Sequence, residues 1–268
     1  MTEEWYTQSL EQKKGWYGNA AQAYNWARPR YPEALISHAI TLAQLPPGAK
    51  CLELGCGPGV ATVAFARRGF ALVGLEPNPQ LCQLAQENCV PYPLVTIRNT
   101  SFEEWELEPE TFHAVLSATS FHWVSAEVRY HKTAAALQPQ GLLILLWNMW
   151  VQPAYEVVQA LGEVYKVHAP TLGQYVESKI QEDFLQEFSR TIPGSKLFKD
   201  LITEQILCED TYTSERYLAL LSTYSGYLAL EASARQALFD GLREVLERAY
   251  GGNISVSYLS VLQMAYKV

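Results

Sequence analysis

Residues 52–59 read Leu-Glu-Leu-Gly-Cys-Gly-Pro-Gly, and this octet narrows what the chain around it can fold into. The run Lys50 to Leu54 reads as a strand. Glycines follow at the alternate positions 55, 57 and 59, and a helix-compatible run opens at Val60. Glycine is needed where the backbone turns sharply or approaches a ligand closely, because a Cβ would collide. A helix that starts just beyond such a turn points unpaired N–H groups and a positive dipole end at the same place. The octet predicts a strand–loop–helix cradle, unless its glycines serve only tight packing. A dinucleotide cradle has the spacing G-x-G-x-x-G, which calls for glycine where this chain has Val60. Instead Glu53 opens an E-x-G-x-G-x-G pattern, and a second strand-like run, Ala71 to Leu75, ends in Glu76. An acidic residue at that point, about 20 residues past the glycines, is placed to accept hydrogen bonds from ribose hydroxyls.

Strand-like and helix-like stretches then alternate. The spacing predicts helices over 59–69, 79–88 and 125–137, and strands over 71–75, 94–98, 114–117 and 142–147. The run Leu142 to Trp147 is apolar throughout, as a parallel strand buried on both faces must be. Such alternation predicts an α/β fold, a doubly wound sheet with helices on both faces. Ligands of such sheets bind beyond the carboxyl ends of the strands. Upstream, Trp16 to Trp26 has helical apolar spacing, Arg28-Pro29-Arg30-Tyr31-Pro32 breaks it, and Pro32 opens a helix reaching Gln44. Residues 151–200 read as helical, 204–210 as extended, 213–222 and 231–249 as helical, and Asn253 to Val268 as a closing strand.

Charge argues against some partners. The chain has 28 acidic and 20 basic side chains, a net charge of -8, which suits a phosphate backbone poorly. No nucleic-acid partner is expected. The longest apolar run is too short to span a bilayer, so no membrane partner is expected either. The five cysteines form no C-x-x-C pair, which argues against a metal site or a disulfide framework. With no apolar signal core in Met1 to Lys14, a cytoplasmic protein is expected.

On the Glu53–Gly59 pattern and Glu76, the chain resembles the class I S-adenosylmethionine-dependent methyltransferases. Two further stretches, Tyr24-x-x-x-Arg28-Pro29-x-Tyr31-Pro32 and Ser117-Ala118-Thr119-Ser120-Phe121-His122-Trp123, are similar to the type 11, small-molecule branch that includes trans-aconitate methyltransferases. Thr223-Tyr224-Ser225 and the closing strand resemble the same group. The resemblance implies a seven-stranded, mostly parallel sheet in the order 3-2-1-4-5-7-6. It implies that residues 1–45 cover the cofactor site, 46–150 form the cofactor-binding core, 151–205 a helical insertion or cap, and 206–268 complete the sheet.

The implied cofactor is S-adenosyl-L-methionine, held by Glu53, Gly55, Cys56, Gly57, Gly59, Glu76, Pro77, Ser101, Phe102, Thr119, Tyr24 and Arg28. His122 is the implied catalytic residue, with Trp123, Tyr17 and Tyr31 in the substrate pocket. Ser101 stands where many relatives carry an aspartate directed at the adenine amino group. Plainer roles exist for several of these residues: Tyr24 on a core helix face, Arg28 as a surface charge, His122 buried on Trp123. An arginine fork does suit a carboxylate, and histidine titrates near neutrality. The function so implied is methyl transfer to a small carboxylate, hydroxyl or amine acceptor, by a monomer or homodimer. The alternatives are a catalytically silent cofactor-binding regulator, an RNA methyltransferase, or a nicotinamide-dependent oxidoreductase.

Overall fold

The computed structural model describes residues 18–268. Its strands are β1 (Lys50–Leu54), β2 (Ala71–Leu75), β3 (Val95–Arg98), β4 (Phe112–Ala118), β5 (Leu137–Asn148), the two-residue β6 (Gln152–Pro153), β7 (Phe198–Thr213) and β8 (Asn253–Lys267). They form one sheet in which β3, β2, β1, β4, β5 and β8 are successive neighbours, and β6 and β7 both pair with β8. The first five strands run parallel, and β8 runs antiparallel to β5 and to β7. With β6 set aside, this is the expected order 3-2-1-4-5-7-6. The last antiparallel pair is longer than the sequence suggested. The extended segment expected at 204–210 starts at Phe198 and runs to Thr213, held along its length by β8. β5 likewise begins early, because Leu137 pairs with Phe112 before the register shifts.

The helices are α1 (Ala21–Ala27), α2 (Glu33–Ala43), α3 (Val60–Ala66), α4 (Pro79–Cys89), α5 (Ala126–Ala136), α6 (Tyr155–His168), α7 (Ser178–Gly194), α8 (Ser214–Leu221), α9 (Ser225–Leu228) and α10 (Ala232–Tyr250). The start of α4 is written in the sequence. Asn78 accepts a hydrogen bond from the Leu81 N–H, and Pro79 occupies the first turn, where no N–H is needed.

The unbroken apolar run of β5 is explained by its two faces. Leu142, Ile144 and Leu146 point into a core with Leu35 and Ile36 of α2 and Phe65 of α3. Leu143, Leu145 and Trp147 point into the opposite core, with Phe121, Phe188 and Ile192. Both faces of a central strand are therefore dry, and burial of its side chains is the main stabilising term.

Residues after β5 divide by packing. α7 lays Leu185, Phe188 and Ile192 against the sheet, so it is a covering helix of the core. α6 instead joins α8 and α10 in a third core built from Leu161, Leu220, Leu238, Leu242 and Leu246. Among the described residues no helix is long and apolar enough to cross a membrane.

Leu145 is fully buried and Leu207 is mostly exposed. Leu145→Ala is expected to lower the unfolding free energy by about 2–5 kcal/mol. Leu207→Ala is expected to change it by less than about 0.5 kcal/mol. Urea unfolding of the two variants checks this, and equal effects would contradict the two-faced burial of β5.

Candidate active site

A cavity of about 840 Å³ opens beyond the carboxyl ends of the parallel strands. Gly55 and Gly57 reach it from β1, Glu76 from β2, Ser101 and Phe102 from β3, Thr119, Ser120, His122 and Trp123 from β4, and Asn148 from β5. The helical half of the chain closes it, through Tyr165 of α6, Tyr217 of α8 and Tyr227 of α9.

The glycine loop leaves β1 with positive φ at Gly55 (63°), Gly57 (56°) and Gly59 (85°), a backbone path that side chains resist. A Cβ on Gly55 would lie 2.8 Å from the Ser120 Cβ. A Cβ on Gly57 would meet nothing nearer than the Tyr24 ring at 4.0 Å, so Gly57 bares its backbone to the cavity. Glu76 steadies this loop from the neighbouring strand. Its Oε2 accepts from the Gly57 N–H and its Oε1 from the Asn78 N–H, each at 2.8 Å. Asn99 holds the following turn by donating to the carbonyls of Glu76 and Pro77.

Other expected cofactor residues sit behind this surface. Cys56 is buried, with its thiol beside Gly74 of β2, and it contributes backbone to the loop. Gly59 caps α3 and packs on α4 near Cys89. Glu53 is fully buried and does not line the cavity; its Oε2 accepts from the Thr62 hydroxyl at 2.6 Å. The Ser101 hydroxyl serves its own turn, donating to Glu104 and accepting from the Glu104 N–H. Phe102 lines the cavity and stacks on Trp105.

Thr119 is a β-branched residue in left-handed conformation, φ 55°. Such a residue stores about 1–3 kcal/mol of strain and persists only when its surroundings over-determine it. Here they do. Its N–H donates to the Leu146 carbonyl, its hydroxyl accepts from the Asn148 N–H, and that hydroxyl also pairs with the Tyr31 hydroxyl. Tyr31, expected in the substrate pocket, thus backs Thr119 and lines a smaller neighbouring cavity of about 40 Å³. Tyr17 lies outside the described residues.

Arg28 lines the cavity with its guanidinium engaged by protein. Nε donates to the Thr223 hydroxyl at 2.8 Å and Nη2 to the Thr223 carbonyl at 3.0 Å. The guanidinium carbon lies 4.3 Å from the Tyr224 ring centre and 5.0 Å from that of Tyr24. His122 sits among rings, with centroids 5.2 Å from Trp123, 5.6 Å from Trp147 and 6.5 Å from Phe184. Sequence reasoning missed Trp147, Phe184 and the tyrosines of α6, α8 and α9. Phe184 and the tyrosines lie on helices far along the chain, and only packing brings them to the strand ends.

Residues 51–141, which contain the glycine loop and Glu76, match the family model described as a methyltransferase domain. Over this stretch the chain is similar to methyltransferase domains. An uncharacterized methyltransferase of Mycobacterium tuberculosis is 30% identical over 153 residues, which cover 55% of this chain and 60% of that protein. The match thus spans less than two thirds of that relative. A protein of Dictyostelium discoideum named as a methyltransferase is 22% identical over 87% of this chain and 86% of its own length. The same fold occurs in a type II methyltransferase structure from Anaeromyxobacter dehalogenans, with TM-score 0.63, 20% identity, and coverage of 89% of this chain and 97% of that one. It also occurs in Haemonchus contortus phosphoethanolamine N-methyltransferase 2, solved with phosphomonomethylethanolamine and S-adenosylhomocysteine, with TM-score 0.54, 16% identity, and coverage of 96% and 58%.

Two carboxyls of residues 51–141 carry shifted pKa values. Burial raises Glu53 from 4.5 to about 8, with the Thr62 hydrogen bond opposing and the charge of Glu76 adding. Burial raises Glu76 from 4.5 to about 7, against the pull of its two backbone hydrogen bonds. A carboxyl raised by folding binds its proton more tightly in the native state than in the unfolded chain. Its stabilising contribution is complete below about pH 4.5 and is lost as pH rises through the folded value. The ligand-free protein is therefore expected to lose melting temperature between pH 5 and 8. Glu53→Gln should flatten that fall and melt above wild type at pH 8. Parallel melting profiles for the two proteins would remove Glu53 as the cause.

Proposed function

We propose that this chain moves the methyl group of S-adenosyl-L-methionine onto a small-molecule acceptor. The observation that carries the reading is one cavity into which Gly57 bares its backbone, and which Glu76 of the next strand and His122 beyond β4 also line. The Haemonchus contortus enzyme of the same fold, solved with S-adenosylhomocysteine and with S-adenosyl-L-methionine, supports the choice of cofactor.

The residues present fit that molecule. The Glu76 oxygens each accept one backbone N–H and keep a lone pair for a ribose hydroxyl. The bare Gly57 backbone would face the amino-acid part, with Tyr24, Arg28 and Thr119 around it, and Phe102 offers an apolar edge for a flat base. When bound, the cofactor supplies a methyl group already activated on a sulfonium sulfur. The chain's own task is alignment and exclusion of water, and fixed geometry of that kind is worth about 7–11 kcal/mol of a two-reactant barrier. Segment 18–45 and the helices after β5 cover the cavity. The His122 imidazole, framed by Trp123, Trp147 and Phe184, orients the acceptor and takes its proton where the acceptor atom carries one.

Titration calorimetry with S-adenosylhomocysteine tests the cofactor site. Glu76→Ala and Gly57→Val should each weaken binding at least tenfold, about 1.4 kcal/mol. Unchanged affinity in both would overturn the assignment. His122→Ala should keep that affinity and lower turnover of an accepted substrate by about 10²–10⁴-fold; full turnover would remove His122 from the chemistry.

A further inference from the structure

The part of the cavity away from Glu76 has a composition that names a class of acceptor. Trp123, Trp147 and Phe184 surround His122, and Trp150 packs on Phe184 with ring centres 6.1 Å apart. Flat aromatic walls of this kind favour a flat ligand through stacked and edge-on contacts. In the same lining, Tyr165 and Tyr227 hydrogen-bond hydroxyl to hydroxyl at 2.7 Å, both rings being buried. One phenol of such a pair donates to the other, which leaves the pair one O–H and several lone pairs for a third partner. Burial drives both phenols up from their ordinary pKa, so they are neutral donors at any working pH.

The chain segment over this pair is closely fitted. Leu172 and Gly173 line the cavity, and a Cβ on Gly173 would fall 2.2 Å from the Tyr165 ring. Gln152 fastens the segment by donating to the Val176 carbonyl and accepting from the Val176 N–H.

Charge is scarce here. Among the described residues that line the cavity, Arg28 is the one lysine or arginine, and its guanidinium is engaged by Thr223 and two tyrosine rings. The lining carboxylates, Glu76 and Glu103, belong to the β2–β3 side, and Glu103 accepts from the Ser125 N–H. An acceptor carboxylate would find no cation there but the engaged Arg28, and an ammonium no carboxylate but Glu76 and Glu103, both already hydrogen-bonded to backbone N–H groups. Either would lose its hydration for little return.

Granted the methyl-transfer reading, we propose that the acceptor is an uncharged, flat, mostly apolar molecule, with a ring stacked among Trp123, Trp147 and Phe184 and a polar group hydrogen-bonded to the Tyr165–Tyr227 pair.

The test uses three probes of one ring size, 2-naphthol, 2-naphthoate and 2-naphthylmethylammonium, titrated by calorimetry at pH 7 into the full chain saturated with S-adenosylhomocysteine. 2-Naphthol is expected to bind at least tenfold more tightly than either charged probe. Tyr165→Phe/Tyr227→Phe keeps both rings, and it should weaken 2-naphthol about tenfold while leaving S-adenosylhomocysteine affinity and the melting temperature near wild type. Tighter binding of the naphthoate, abolished by Arg28→Gln, would overturn the proposal, as would tighter binding of the ammonium probe. So would failure of 2-naphthol to bind, or binding indifferent to the double variant. These outcomes leave the methyl-transfer reading standing provided S-adenosylhomocysteine binds; absence of that binding in wild type would overturn both.

Discussion

The hydrogen bond from the Gly57 N–H to Glu76 Oε2 joins the loop after β1 to the end of β2, and the geometry of the site follows from it. Beside it the Cys56 N–H donates to the Leu75 carbonyl, and the Cys56 thiol lies in the notch left by Gly74, where a Cβ would come within 3.1 Å of the sulfur. The loop is thereby pressed against β2 with Gly57 turned outward. α3 starts at its far end, packed on α4 through Gly59. Holding the Glu76 carboxylate beside this loop costs desolvation, which its raised pKa records. The two backbone donors return part of that cost.

A second set of contacts joins distant parts of the chain over the cavity. The Tyr212 hydroxyl donates to the Ala27 carbonyl, Arg28 donates to Thr223, Asn148 donates to the Pro29 carbonyl, and Tyr31 pairs with Thr119. The short segment between α1 and α2 is thus held by β5, by the end of β7 and by residues beyond α8. Arg28 lies within cation–π distance of two tyrosine rings, Tyr24 and Tyr224. The same contacts hold Thr119 in its strained conformation at the mouth of β4.

Much of this was legible in the residues. The glycine loop, the acid after β2 and the Pro-Asn-Pro start of α4 each encode a local backbone shape. The unbroken apolar β5 encodes burial on both faces. The residues around His122 were legible only in part, because Trp147 reads simply as the last core position of a strand. α7 shows why the region after β5 was harder. Leu185, Phe188 and Ile192 form an apolar stripe at helical spacing, and a stripe shows that a helix is buried without showing against what. In the packing that stripe lies against the sheet, and Phe184 of the same helix lines the cavity.

By itself the sequence determined the strand–loop–helix cradle, the alternation of elements, and the presence of a carboxylate one strand from the glycines. These rest on backbone geometry and periodicity, which act over a few residues and leave their mark in neighbouring letters. Only the tertiary structure decided that Tyr165 meets Tyr227, that Arg28 is spoken for by Thr223, and that Phe184 stands beside His122. Those meetings depend on strand order and helix packing, which sum many weak contacts over the whole chain and leave no local pattern to read.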